Sequence, residues 1–311
     1  MNTLNFQPEH IGLYFGQAEI DAAQATRDNK KFAAAWERLK NPPVPEAVPA
    51  AMWHALRYRL LNNAAEGEKG ISGLLSLSSI DSETFYEATR QLIARAHIFE
   101  MLRLHPAFTA QQQWLNDFAA HADELLKVES DDYIDVAWRM TLKIVAAIVL
   151  DNEDIFTEGI AEFRKSIDAD IHPDGYIHRA VKAKNTNTFL RQLRASAALC
   201  LAAEAAMQVG VNLWDTGSRG VDANTPIAYL NFFYFYPERW QWSEGLTRDD
   251  TERMIRREGA FIEIAAHRGI IRDIDILLDD QRPLIDVYGG GIPTLTHPDI
   301  QKRKGFSLFR R

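Results

Sequence analysis

DNEDIFTEGIAEFRKSIDADIHPDGYIHRAVKAKNTNTFLRQLRASAALCLAAEAA, residues 151–206, is the stretch whose reading decides the fold. Ile155, Phe156, Ile160, Phe163 and Ile167 recur at helical spacing, one apolar stripe along a first helix. His172-Pro173-Asp174-Gly175 stops that helix, because proline lacks an amide proton and glycine tolerates positive φ. A second long helix then runs to Ala206. Tyr176, His178, Arg179, Lys182, Lys184 and Arg191 fall in or beside the segment joining the two. Cationic and titratable groups held between two helices suit one wall of a site for an anionic ligand. A solvated inter-helix loop would have the same composition.

The same grammar extends outward. Helices are expected at about 33–39, 47–61, 81–103, 109–127, 132–150, 152–169, 186–209, 224–236 and 248–268, with residues 65–80 read as a Gly- and Ser-rich loop. The only hints of strand are Ile270–Leu278 and the Gly-rich tail after Tyr288. Many helices on short connections imply an all-α array of antiparallel hairpins, and no sequence repeat marks a regular solenoid. With 311 residues and 46% hydrophobic content, one large core is affordable, and the chain reads as a single domain over 1–311 with a basic tail at 302–311.

Composition narrows the function. The single cysteine, Cys200 in an apolar run, excludes disulfide scaffolds and cysteine-rich metal sites. A net charge of -8 argues against nucleic acid as a partner. No signal-like start or membrane-length apolar run is present, so the expectation is a cytoplasmic protein without a membrane partner, or one whose leader has been removed. The nine histidines are dispersed with no metal-binding spacing, and Gly289-Gly290-Gly291 lacks the context of a phosphate loop. No metal and no cofactor is expected; the oligomeric state is open.

Several features in order resemble the alginate lyase superfamily of polysaccharide lyases, best from about Asp131 to Trp242. They are Trp138 in Val-Ala-Trp, the Asp151–Asp154 helix junction, Asp174-Gly175, the Ala-Ala-Glu204-Ala-Ala helix end, Tyr236-Pro237-Glu238-Arg239-Trp240, and Arg282-Pro283 followed by Gly289–Gly291. The resemblance implies an incomplete (α/α) toroid with a cleft across one face and an anionic saccharide as substrate. The family's catalytic Asn-His pair, about four residues before the tryptophan, reads Ile134-Asp135 here, and its arginine and tyrosine align with Lys184 and Arg191.

β-Elimination from a uronate needs a cation for the carboxylate, a base for the C5 proton and an acid for the leaving oxygen. Arg191, Arg194 and Lys184 can supply the cation, since a guanidinium fork matches a carboxylate. Tyr176 or His178 can act as base or acid. Against this, Tyr176 could pack, His178 could be solvated, and Arg191 and Arg194 could pair with acidic neighbours. Asp135 opens a hydrolase reading with two carboxylates, Asp174 being its first candidate partner, whereas Asp131 and Asp132 read as a helix N-cap cluster. Trp138, Tyr234 and Trp240 are candidates for stacking on sugar rings; most of the phenylalanines between 232 and 235 read as core, and Tyr234 and Trp240 as exposed through their polar handles. Three functions follow: a lyase acting on a uronate-containing saccharide, a toroid glycoside or unsaturated-uronide hydrolase using Asp135, and a non-catalytic carbohydrate-binding protein.

Overall fold

A computed structural model describes residues 6–298 apart from 44–45, 78, 81, 184–186, 244 and 270. The fifteen α-helices among them are α1 (Gln17–Ala25), α2 (Ala33–Lys40), α3 (Ala47–Leu61), α4 (Ala64–Leu75), α5 (Phe85–Leu102), α6 (Gln111–Leu126), α7 (Tyr133–Val149), α8 (Glu153–Asp170), α9 (His178–Val181), α10 (Thr188–Met207), α11 (Thr225–Phe235), α12 (Arg248–Glu258), α13 (Phe261–Arg268), α14 (Ile274–Gln281) and α15 (Pro293–Thr296). They form an incomplete (α/α) toroid. α3, α5, α7 and α10 stand side by side as the inner layer, and α4, α6 and α8 return between them on the outside.

Burial explains the layering. α10 hides Ala195 to Ala206 without a break, and α7 hides all but Lys143 between Met140 and Val149, so both are apolar nearly all round, as helices enclosed by neighbours must be. Outer helices show one stripe: α8 buries Phe156, Gly159, Ile160, Phe163 and Ile167. α5, α7, α8 and α10 each begin on a side-chain cap. Asp132 accepts from the Ile134 amide, Asn152 from Ile155, Asn187 from Leu190 and Thr84 from Glu87. At the His172–Gly175 break, Ile171 and Ile177 pair as an isolated bridge and Gly175 sits at φ 105°, against Thr225 and Tyr229 of α11.

Three expectations are corrected. Residues 65–80 are not mainly loop: Asn63 caps α4, and Gly67, Gly70 and Gly73 form a bare stripe on it. An added Cβ there would stand 2.5 Å from His105, 3.2 Å from Leu102 and 3.2 Å from Ala51 respectively, so the glycines serve close helix packing rather than turns. The span 248–268 is two helices, because the chain turns at Gly259, where a Cβ would lie 2.5 Å from the Ile255 carbonyl oxygen. Residues 274–281 are helical, with Ile274, Leu277 and Leu278 buried at i, i+3, i+4 while Ile276 is exposed. The Gly-rich tail contributes only the Asp286–Gly291 bridge and α15. The basic tail at 302–311 lies outside the described residues, within which no helix is long and apolar enough to cross a membrane.

The glycine stripe yields a sharp expectation. His105 cannot retreat from residue 67, because one ring nitrogen contacts the Ala64 carbonyl at 3.1 Å and the other accepts from the Ala107 amide at 3.2 Å. Gly67→Ala should therefore destabilise by about 1–3 kcal/mol in denaturant unfolding. An open helical glycine would give the opposite sign.

Candidate active site

The inner helices are parallel, and their N-terminal ends meet on one face. Tyr86, second residue of α5, packs edge-on against Trp138 of α7, ring centroids 5.5 Å apart. The Trp138 indole N–H donates to the backbone carbonyl of Arg194 on α10 at 3.1 Å. Arg194 in turn lies 4.4 Å over the Tyr86 ring. Three helix starts, with the partial positive charge of their free amides, are thus fastened around one point.

Around it sits a charged cluster. Arg194 forks onto Glu258, Nε to Oε2 at 2.6 Å and Nη2 to Oε1 at 2.8 Å. Arg257 donates to the same carboxylate at 2.6 Å, and the Tyr86 hydroxyl donates to it at 3.0 Å. One turn along α5, Arg90 binds Asp286 at 2.6 Å and lies 5.4, 5.5 and 5.7 Å from the ring centroids of Tyr86, Trp138 and Tyr288. Three guanidinium groups face two carboxylates, leaving one positive charge in excess. The cluster opens to solvent through Arg194, whose side chain is 27% exposed, and Arg257, which is 62% exposed.

The protonation states follow from these contacts. Burial alone would raise the Glu258 pKa, but the hydrogen bonds and charge of Arg194, helped by Arg90 and Arg257, override it and hold the carboxyl at about 2. Burial pushes the Tyr86 phenol upward, so it stays a neutral donor. Burial also pushes up the half-buried Asp135 carboxyl, against a 2.8 Å hydrogen bond from Ser130. Asp135 stands one turn before Trp138 on α7, toward the helix start.

The structure sorts the residues expected from sequence. Arg194 comes to this rim, whereas Asp135 is bound by Ser130 at the turn before α7, with Asp132, Arg191 and Arg139 as its charged neighbours. Arg191 does not offer a free fork: both its terminal nitrogens bind Asp132, at 2.9 and 2.8 Å, and Nε binds the Ala180 carbonyl at 3.1 Å. It is a strut joining α10, α9 and the N-cap of α7. Tyr176 stacks on His172 with centroids 4.4 Å apart and meets Trp242 at 4.9 Å, while His178 is exposed at the start of α9, 6.4 Å from the Tyr176 ring. Three expectations of ligand stacking are corrected. Trp138 is core, at 1% exposure. Tyr234 is buried, its hydroxyl accepting from Gln281 at 2.8 Å. Trp240 is buried, its indole donating to Thr188 at 2.8 Å. The polar handles that suggested exposure find partners inside the protein, and Phe232 and Tyr236 face outward instead. Lys184 lies outside the described residues.

Sequence reading missed Tyr86, Arg90, Arg257, Glu258, Asp286 and Tyr288. Tyr86 and Arg90 share an i, i+4 face at a helix start, a faint signal, but their carboxylate partners, Glu258 and Asp286, are more than 150 residues away.

Acid titration tests the hub. A group held below its ordinary value stabilises the fold above that value and loses the contribution as pH falls toward the folded one. Glu258 should therefore withdraw stability between about pH 4.5 and about 2. Glu258→Gln should melt lower than the parent at pH 7, with the difference closing across that window in pH-dependent thermal unfolding.

Residues 84–234, the segment holding Tyr86, Trp138 and Arg194, match the profile of the alginate lyase family. Over nearly the whole chain, the fold is similar to a variant of alginate lyase A1-III complexed with a tetrasaccharide, at 14% identity, 96% and 98% coverage of this chain and that one, and a TM-score of 0.75. Alginate lyase A1-III from Sphingomonas species A1 is similar at 14% identity, 86% and 78% coverage and a TM-score of 0.65. An alginate lyase from Bacteroides ovatus follows at 11% identity, 86% and 98% coverage and a TM-score of 0.61. No curated protein matches. The chain thus carries a segment similar to the alginate lyase family, seated on a fold similar to that of solved alginate lyases.

Proposed function

We propose that the protein is a polysaccharide-lyase-like enzyme that cleaves a uronate-containing poly- or oligosaccharide by β-elimination. The observation that carries this reading is the Arg194 fork, part-exposed above the Tyr86 phenol, where positive helix ends converge and cations outnumber carboxylates. A uronate carboxylate competes with Glu258 for Arg194, and the local charge steadies the electron-rich intermediate formed when C5 loses its proton. Asp135 is the proposed acceptor of that proton. As the C4–O bond breaks, Tyr86 protonates the leaving oxygen, and proton return from Asp135 resets the pair. His178 and Tyr176, at the exposed α8–α9 junction, are proposed to meet the sugar from the side; Arg191 is proposed to hold that wall in place.

Asp135 also favours a second reading. A half-buried carboxyl with a raised pKa is what a general acid requires, and it suits a toroid hydrolase acting on a glycoside or an unsaturated uronide.

Uronate polymers and oligomers separate the two readings. A lyase creates a 4,5-unsaturated product, seen as rising ultraviolet absorbance; a hydrolase consumes that chromophore or releases reducing ends without it. Under the lyase reading, Arg194→Met and Tyr86→Phe should each lower kcat/KM by about 10²–10³-fold with folding intact by circular dichroism. Activity surviving both would sink the assignment. Loss confined to Asp135→Asn, with no chromophore formed by the parent, would establish the hydrolase instead.

A further inference from the structure

At the far end of α3, a pocket of about 550 Å³ opens between α1 and the last turn of α3, lined among others by Gln17, Asp21, Gln24, Arg27, Arg59 and Asn62. Its two guanidinium groups lack the ion pairs of their neighbours and of the candidate active site. Arg57, two residues before Arg59, is paired with Glu66 at 2.8 Å, and the arginines of the candidate active site all have carboxylate partners. Neither Arg27 nor Arg59 has a carboxylate within 4.0 Å among the described residues. Arg59 is part-buried, its Nε is cut off from solvent without a hydrogen-bond partner, and its closest acceptor is the His10 carbonyl at 3.5 Å. Burial lowers its pKa, and the charge of Glu100, beyond ion-pair distance, only partly offsets this. Arg27 spends one N–H on the Leu60 carbonyl at 3.2 Å, and Gln24 supplies that carbonyl with a second donor at 2.7 Å, so the negative end of α3 is screened from the pocket. The one carboxylate in the lining, Asp21, is exposed and accepts from Gln17 at 2.8 Å.

We propose that this pocket is a second binding site, which takes a small oxyanion, a phosphate or a carboxylate, between Arg59 and Arg27. A guanidinium drawn out of water without a partner is costly, and a ligand with two oxygens on one centre supplies what its fork lacks. The fifteen residues of α3 place the pocket about 20 Å from the face where the inner helices start. It is therefore separate from the cleft, and the proposal stands whether or not the lyase reading does.

Thermal unfolding and calorimetry of the full chain, with potassium phosphate or sodium glucuronate against chloride at matched ionic strength, test it. The parent protein should show one-to-one binding and a Tm that climbs with ligand concentration. Arg59→Met keeps the packing of the stem and removes the fork. It should lose the ligand-dependent rise, weaken binding at least about tenfold, and melt in chloride no lower than the parent. Arg27→Met, a second variant should the first fail to fold, should weaken binding as well. A response to phosphate alone assigns the site to phosphorylated ligands, and one to glucuronate alone to sugar acids; either supports it. No shift beyond chloride with either anion, or an unchanged response in the two variants, overturns it.

Discussion

One hydrogen bond organises the chemistry of this molecule: the indole N–H of Trp138 on the Arg194 carbonyl. It fixes α7 against α10 near their starts. The indole edge meets Tyr86 of α5 and thereby sets how near the phenol and the Arg194 fork can come. In a toroid the inner helices could slide along one another, since their apolar faces of alanine, leucine and valine offer many similar packings. A directional bond from a fully buried donor removes that freedom, because an indole N–H left without an acceptor there is expensive. A residue that looked like a sugar platform is thus the bolt that holds the site together.

The two ends of the barrel are built differently. At the starts of the inner helices, cations exceed carboxylates and the pairs are partly open. Near the ends of α10 and α13, Glu204 is wholly buried and bound by Arg268, which also reaches Glu19; the His297 ring stands at 3.4 Å. Closure by an arginine suits a clamp at the negative ends of helices, where a guanidinium is welcome. Polarity of the helices, repeated around the ring, sets the partly open, cation-rich cluster at their starts apart from the closed Glu204 clamp.

How much of this was readable beforehand depends on the range of the interaction. Helical periods, the Pro-Asp-Gly break and the N-caps are local, and residues 151–206 announce them. The glycine stripe of α4 misleads locally, because its reason lies in Ala51, Leu102 and His105 on neighbouring elements. Tyr234 and Trp240 mislead in the same way, since a sequence cannot say whether a hydroxyl or indole will be met by Gln281, by Thr188 or by water. The cluster was legible only in small part: of its residues, Arg194 alone could be named from its helix. Glu258 and Asp286 could not, since each acquires meaning only from an arginine brought to it by ring closure.

Glu258 occupies an unusual post. It does not belong to the inner ring but ends α12, immediately before the chain bends at Gly259 into α13. The counter-ion of Arg194 is therefore placed by the α12–α13 corner, which packs on α10 without being one of the four inner helices. Under the proposed lyase reading, substitutions at that corner would retune which acidic group Arg194 can meet while the four inner helices keep their places.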